Sequence, residues 1–591
     1  MIKMNVCHLQ FRQVFFPRMR MKMKYLASLT GCLLLVVLWY VWGGGLFEKR
    51  TDPAALVSDN ALLYLEQHDI GRLIDGIKAS PFGNAMAAMD IGKIAAGLEL
   101  DADQTRQLEQ ALDSAAELGN DPVIRELCGR SLSLAVLPGE SEIVVADARQ
   151  VLPVQLLLIA RPEHKAELLE VMSQAFTGKV KEDVIPYGTQ EIVQFTVDGT
   201  TFFAAVTDGL FVFGLNRKTV ETALDLQGTS QGALMTLAAF AELKQQLPAV
   251  DFLAFSAPEN LAATIASTVE APQPSENLAG LRYSIYGVWK EGTGFKDRTI
   301  TLIDRKRLDP LLGRILATPP RDNDTLAFAS PDVQIYSWSN ALALDAIWEG
   351  IKREGGADAT TPESFTRRFK EMTGSDIEQV LALLEPGASL QVQKGNAGDL
   401  IPLPRITLIL KVKDRAALEK VFEQGVVGLG IRMEDQQYRN LTYRSYNPGL
   451  PGNIEALYGF YGPYLLVGNN RQMLQTIIDA AAEGKGLKQS DEYAALGMDL
   501  EHGNNSVCLI KVADIADGIS DLMTWTGAIL ALQGRDSGLR SRVVIDEVVK
   551  PLLKGMATIS SVATRTFFAE DRITVESTMQ IRPEQPATAG R

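Results

Sequence analysis

The stretch GLNRKTVETALD at 214–225 has a counterpart in GNNRQMLQTIID at 468–479, and that correspondence decides the reading of the whole chain. Five of the twelve positions are shared: Gly214 with Gly468, Asn216 with Asn470, Arg217 with Arg471, Thr222 with Thr476, and Asp225 with Asp479. A single match of this length could arise by chance. Other features recur in the same order at nearly the same offset, which is 254 positions for Asn216 and Asn470. Upstream, the strand-like Leu156 to Ala160 and the helical Ala166, Leu168 and Val171 answer to Ile406 to Leu410 and Ala416, Leu418 and Val421. Gly129-x-Ser131-Leu132 pairs with Gly387-x-Ser389-Leu390. Downstream, Phe240-Ala241-x-Leu243 pairs with Tyr493-Ala494-x-Leu496, and Phe252 to Phe255 with Val507 to Ile510.

Working outward, each copy opens with a strand feeding a helix. ALLYL at 61–65 precedes Ile70, Leu73, Ile74 and Ile77, whose spacing makes one apolar helical face. VQIYSW at 333–338 precedes Leu342, Leu344, Ile347 and Ile351. Asp69 and Asn340 stand where helix caps are expected. Periodicity then predicts strand 153–160, helix 163–177, strands 190–197, 200–206 and 209–214, and helix 217–227. Asp198-Gly199 reads as a type I′ hairpin turn. Strand pairs 281–289 with 296–304 and 557–567 with 572–580 close the copies, and Pro319-Pro320 marks the boundary between them. The expected class is α+β: a tandem duplication of mainly antiparallel sheet domains with helices on one face, at 55–318 and 322–582. A polar tail expected to be disordered follows at 583–591.

Ahead of these domains, residues 1–24 form a basic leader and 25–46 a membrane anchor that would precede the folded part as one transmembrane helix. YLASLTGCLLLVVLWYVW from Tyr25 to Trp42 carries no charge and, as a helix, spans about 27 Å, near the bilayer's hydrocarbon thickness. Basic residues crowd its N-terminal side (Lys3, Arg12, Arg18, Arg20, Lys22, Lys24), so the N-terminus is expected in the cytoplasm and the bulk outside it. Two other readings compete. Cleavage after Gly43-Gly44-Gly45 would make the run a signal peptide, but bulky Trp39 to Trp42 precede the glycines. Leu29-Thr30-Gly31-Cys32 has lipobox form, but ten apolar residues follow the cysteine.

The formal charge of −14 hides an asymmetry. Residues 1–50 hold eight Lys or Arg against Glu48 alone, which leaves 50 basic and 71 acidic residues beyond and a net charge of −21. A body that acidic repels phosphate backbones, so nucleic acid is not the expected partner. Beyond the anchor stand only Cys128 and Cys508, which either form one disulfide or, as Cys508's apolar surroundings favour, are free buried thiols.

The chemistry-bearing motifs are few. Histidines 8, 68, 164 and 502 are scattered, and no CxxC, HExxH or Gly-Lys-Ser/Thr loop occurs, so neither a metal site nor a cofactor site is expected. Gly425-x-x-Gly428-x-Gly430 has the wrong spacing for a dinucleotide fingerprint. Gly228-Thr229-Ser230-Gln231-Gly232 has the form G-x-S-x-G, but a nucleophile elbow needs a strand before it, and here a helix comes first. Asn216 and Asn470 sit where helix caps belong; Arg217 and Arg471 are either surface pairing residues or a pseudo-symmetric pair facing an acidic ligand.

The anchor, the opening Pro53…Asp59-Asn60-Ala61-Leu62-Leu63-Tyr64-Leu65…Asp69 and the later strand from Asp208 to Gly214 together resemble a family of bacterial envelope proteins classed as a domain of unknown function. The resemblance covers most of the chain beyond the anchor. It implies a bacterial, extracytoplasmic setting and assigns no catalytic residue. The expected function is non-enzymatic binding or scaffolding of an envelope protein partner or ligand in the groove between copies. The alternatives are an envelope hydrolase using Ser230 or scattered carboxylates, and an inactive accessory subunit of an envelope complex.

Overall fold

In a computed structural model the described residues are 51–120, 125–126, 129–145, 148–162, 182–197, 200–266, 278–354, 362–395, 403–449, 454–533 and 542–582. The chain is α+β, with antiparallel sheet throughout and many helices. It divides into two compact units, Met1–Arg72 with Arg106–Ala241, and Leu73–Thr105 with Glu242–Arg591.

Among the described residues the first unit contains seven strands: β1 (Leu63–His68), β2 (Ser131–Val145), β3 (Ala148–Arg161), β4 (Glu182–Tyr187), β5 (Gln190–Val197), β6 (Thr200–Thr207) and β7 (Leu210–Gly214). Their order across the sheet is β1-β2-β3-β7-β6-β5-β4, every pairing antiparallel. β7 reads LFVFG and is buried at all five positions, as a strand covered on both faces must be. Helix Arg217–Thr229 lies against β3, β6 and β7 through Val220, Ala223 and Leu224. β4 is an edge strand that periodicity does not reveal. Its sequence EDVIPY carries two acids and Pro186, residues that suit an edge where no further strand needs the missing N–H. The expected helix 163–177, the turn Asp198-Gly199, the leader and anchor at 1–46 and the tail at 583–591 lie outside the described residues.

The second unit holds thirteen strands among the described residues. They are β8 (Phe252–Ser256), β9 (Leu281–Glu291), β10 (Gly294–Ile303), β11 (Val333–Ser339), β12 (Leu384–Gln393), β13 (Arg405–Val412), β14 (Glu434–Tyr438), β15 (Leu441–Tyr446), β16 (Ala456–Tyr461), β17 (Tyr464–Gly468), β18 (Ser506–Ile510), β19 (Ile559–Phe568) and β20 (Arg572–Ile581). The order is β8-β9-β10-β20-β19-β18-β11-β12-β13-β17-β16-β15-β14, again all antiparallel.

Two apolar clusters fill the inner side of this sheet. One gathers Val333, Tyr336, Trp338, Leu487, Val507 and Leu509; the other gathers Phe328, Ile409, Leu466, Met473, Leu474 and Ile477. Between the strands that supply them runs β12, whose inward residues Ser389, Gln391 and Gln393 are all polar and all buried. The segment Leu326–Ser330 contributes Leu326 and Ala329 to the first cluster and Phe328 to the second.

Two expectations fail in detail. The face formed by Ile70, Leu73, Ile74 and Ile77 does not become core: helix Ile70–Ala79 has no buried residue, and Leu73 and Ile77 are exposed. Asn340 does not cap helix Leu344–Glu354. Its amide is drawn away into a buried hydrogen-bond hub, with Nδ2 donating to Pro319 O and Oδ1 accepting from Asn505. Asp69, by contrast, accepts from the Arg72 amide at 3.3 Å.

Candidate functional site

The polar seam on β12 is the most unusual chemistry in the second unit. Strand register aligns Tyr336 on β11, Gln391 on β12, Thr407 on β13 and Gly468 on β17 as successive neighbours, so the side chains of the first three share one face. Tyr336 is satisfied: its hydroxyl donates to Asn323 Oδ1 at 2.9 Å and lies 2.9 Å from Thr325 Oγ1. Burial pushes its phenol far above the ordinary range. Gln393 donates to Ser330 Oγ at 2.7 Å. Gln391, wholly buried, has no hydrogen-bond partner for either end of its amide among the described residues, and the buried hydroxyl of Thr407 has none either, whereas the Ser389 hydroxyl stands near the Tyr336 phenol. A buried polar group left unpaired costs about 1–3 kcal/mol, so such a cluster calls for an explanation beyond the fold.

A charged mouth adjoins the seam. Lys411 on β13 lies 3.1 Å from Asp324 and 3.6 Å from Glu385. Partial burial opposes the Lys411 charge, but the two carboxylates outweigh it and raise the pKa. Burial and the nearby Asp324 carboxylate push the Tyr464 phenol up. These residues, with Trp338, Ala388 and Ile409, line a small chamber of about 30 Å³. Glu385 and Pro386 also line a larger hollow of about 360 Å³, whose apolar lining includes Leu342, Leu344, Leu381 and Leu384. Four acids, Asp345, Glu349, Glu378 and Glu385, stand around it with Lys413. Arg314 reaches Asp345 and Glu349 at 2.9 Å each. Glu378 accepts from Lys352 at 2.8 Å and from the Trp348 indole at 2.9 Å. It also borders an open cleft of about 510 Å³ beside Arg367 and Lys370.

In the first unit a smaller polar group gathers around Tyr64 on β1. Tyr64 donates to buried Glu66 at 3.0 Å, its hydroxyl lies 3.3 Å from Ser133 Oγ, and His68 approaches Glu66 at 3.6 Å. Burial, with the Glu66 charge adding to it, raises the Tyr64 pKa. Carboxylate, imidazole and serine types meet here, yet Ser133 is engaged by the Tyr64 phenol, which is not the arrangement that activates a serine.

The residues singled out from sequence fall elsewhere. Asn216 and Asn470 cap their helices, accepting from Lys218 N at 2.9 Å and Met473 N at 3.0 Å. Arg217, in the first unit, pairs with Glu221 one turn along its own helix at 2.7 Å. Arg471, in the second, reaches Glu455 at 3.1 Å. Ser230 closes helix Arg217–Thr229 in a left-handed conformation (φ 53°), its N–H bonded to Leu226 O, and so does not occupy a strand-to-helix elbow. Cys508 is free and its thiol pKa is raised by burial; Cys128 lies outside the described residues. No group of three or more metal-ligating side chains occurs among the described residues. Sequence reading missed Gln391 and Thr407, although SLQVQ places Ser389, Gln391 and Gln393 at alternating strand positions, a signal that only pairing with buried neighbours makes meaningful.

No family model matches the chain, and no curated protein matches it. Among solved structures, crystal form I of TP0453 is similar at 10% identity and a TM-score of 0.22, covering 44% of this chain and 81% of that one. Crystal form IV gives 9% and 0.23, with 42% and 80% covered. So distant a likeness leaves the functional reading to the chain's own residues. No helix among the described residues is long and apolar enough to cross a membrane.

Proposed function

We propose that this is a membrane-anchored, extracytoplasmic protein of the bacterial cell envelope, built by tandem duplication, that works by binding a partner and not by catalysis. The observation that carries the binding reading is the hollow of about 360 Å³ in the second unit, with its apolar lining and charged edge, a combination typical of ligand and peptide sites. The location rests on the basic leader, the uncharged run from Tyr25 to Trp42 and the acidic body that follows.

Several recurrences support duplication. The order β11-β12-β13-β17-β16-β15-β14 repeats β1-β2-β3-β7-β6-β5-β4 position for position. Tyr187 donates to Asp225 at 2.9 Å and Tyr438 to Asp479 at 2.7 Å, joining an edge strand to the repeated helix each time. Leu234 N meets Val57 O at 2.7 Å, and Leu487 N meets Ala329 O at 2.7 Å.

In-cell photocrosslinking tests the binding reading. A benzophenone side chain at Ala382, which lines the hollow, is expected to give one discrete adduct, while the same probe at exposed Lys485 gives none. Equal labelling from both positions, or none from either, refutes it. A serine-reactive probe whose labelling disappears in Ser230→Ala would establish the hydrolase in its place. A C-terminal phosphatase reporter is expected to be active outside the cytoplasm; activity of a cytosol-only reporter overturns the location.

A further inference from the structure

We propose that the seam between the two apolar clusters of the second unit is a built hydration site, in which ordered water bridges Gln391 and Thr407 and continues past Ser389 toward the charged mouth. This stands apart from the binding reading and does not depend on it.

Three observations converge. Gln391 and Thr407 are directly opposed in the register of β12 and β13, and both are fully buried with unused hydrogen-bonding atoms among the described residues. A glutamine amide offers two donors and an acceptor oxygen, and a threonine hydroxyl offers one donor and an acceptor, a set that water matches because it both donates and accepts. Next, a small chamber lies beside the seam. The chamber of about 30 Å³ at the charged mouth, lined by Trp338 and Ile409, the register neighbours of Ser389 on either side, has room for roughly two water molecules and adjoins the seam without including Gln391 or Thr407. Finally, the row does not need these polar residues to fold. In the first unit the equivalent neighbours of Tyr64 are Ala135 and Leu157, both buried and apolar, and the row again ends on a glycine, Gly214. Gly468 lets the Thr407 hydroxyl pack closely against the far end of the row, since a Cβ there would stand 3.0 Å from Thr407 Oγ1.

The class of ligand follows from charge. Seam residues Ser389, Gln391 and Thr407 are neutral, and the cation at the mouth, Lys411, is already held by Asp324 and Glu385. A buried ion in the seam would lack a counter-charge, whereas neutral water needs none.

The test is a high-resolution crystal structure of the full chain paired with water relaxation dispersion in solution. Expected are water peaks within hydrogen-bonding distance of Gln391 and Thr407, and a long-lived water signal that falls in Gln391→Leu/Thr407→Val by the number of waters seen in the crystal. Thr407→Val alone preserves the side chain's shape; it is expected to lower the signal by a smaller step and serves if the double variant does not fold. A dry seam with Gln391 bonded to protein groups overturns the proposal, as does an unchanged signal in both variants. Density too large for water, matched by a bound solute in native mass spectrometry, also overturns it.

Discussion

Replacing Asn505 with alanine is expected to be among the most destabilising single changes in the second unit. Asn505 is wholly buried and its amide serves three partners at once. Nδ2 donates to Thr318 O at 2.9 Å and to Asn340 Oδ1 at 3.1 Å, while Oδ1 accepts from Phe568 N at 2.8 Å. The side chain therefore ties the Thr318–Pro319 segment, the end of β11 and the end of β19 to one another. Alanine removes all three bonds, and each partner left unpaired costs about 1–3 kcal/mol, so with partial relaxation the sum is about 3–5 kcal/mol. With a urea slope of about 3 kcal/mol/M or somewhat more for a unit this large, the midpoint falls by roughly 1 M. Asn505→Asp sharpens the test. It retains an acceptor for Phe568 but turns a carboxylate oxygen toward Thr318 O and Asn340 Oδ1, which disfavours the charged form and raises the folded-state pKa. A raised folded pKa means that stability is highest below the unfolded value and is lost as pH rises toward the folded one, so the aspartate variant should recover on acidification while the alanine variant does not. Urea denaturation of the full chain at neutral and acidic pH reads both effects. A midpoint shift in Asn505→Ala below about 0.2 M would mean that the hub contributes little and that the reasoning is wrong.

Other consequences can be checked with smaller experiments. Glu378's carboxyl is held down to about 2 by Lys352, then by a backbone amide and the Trp348 indole, so that contribution is present above the unfolded carboxyl pKa and is lost as pH falls toward 2; the Trp348 fluorescence change should follow that low midpoint and vanish in Glu378→Gln, and a midpoint near 4.3 would contradict it. Asn470→Ala should cost about 1–2 kcal/mol through loss of the cap, and Arg217→Ala about 0.5 kcal/mol or less, because its pair with Glu221 is exposed; the reverse order in thermal unfolding would refute the capping reading. A Cβ at Gly294 would stand 2.0 Å from Met579 O, so Gly294→Ala should destabilise the β10–β20 pairing by about 3 kcal/mol or more, which hydrogen exchange along β20 would register; unchanged protection would count against the register. Cys508, whose thiol is held protonated by burial, should take up iodoacetamide slowly in the native chain and rapidly in urea, as read by peptide mass mapping, and fast native labelling would contradict its placement.

What could be read from sequence follows from how local the controlling physics is. Strands β5, β6 and β7, helix Arg217–Thr229 and its Asn216 cap were legible because alternation and capping are properties of a few adjacent residues. Edge strand β4 was not, since an edge is stabilised on one side only and EDVIPY has no alternation to show. The apolar face at Leu73 and Ile77 was seen correctly as a pattern and misplaced as core, because periodicity reports that a face exists and not what covers it. Asn340 illustrates the same limit. Its position before a helix suggests a cap, but its partners Pro319 and Asn505 are 21 and 165 residues away, and no local rule ranks a distant buried hub above a nearby amide.

The candidate site was the least legible feature, and the reason bears on how the two units differ. Helices Arg217–Thr229 and Arg471–Glu483 are held alike: Asn216 and Asn470 cap them, and Tyr187–Asp225 and Tyr438–Asp479 make the same kind of bond. The row that starts at Tyr64 in one unit runs through Ala135 and Leu157, and the row that starts at Tyr336 in the other runs through Gln391 and Thr407. Polar side chains in a packed interior cost free energy unless something pairs with them, which is the cost that the proposed water would offset in the second unit. Transplanting Ala and Leu into positions 391 and 407 is therefore the informative exchange. A seam filled by water should accept it with the fold intact and the bound water lost, whereas a seam whose polar groups pair with unseen protein atoms should lose stability by the full cost of stranding them.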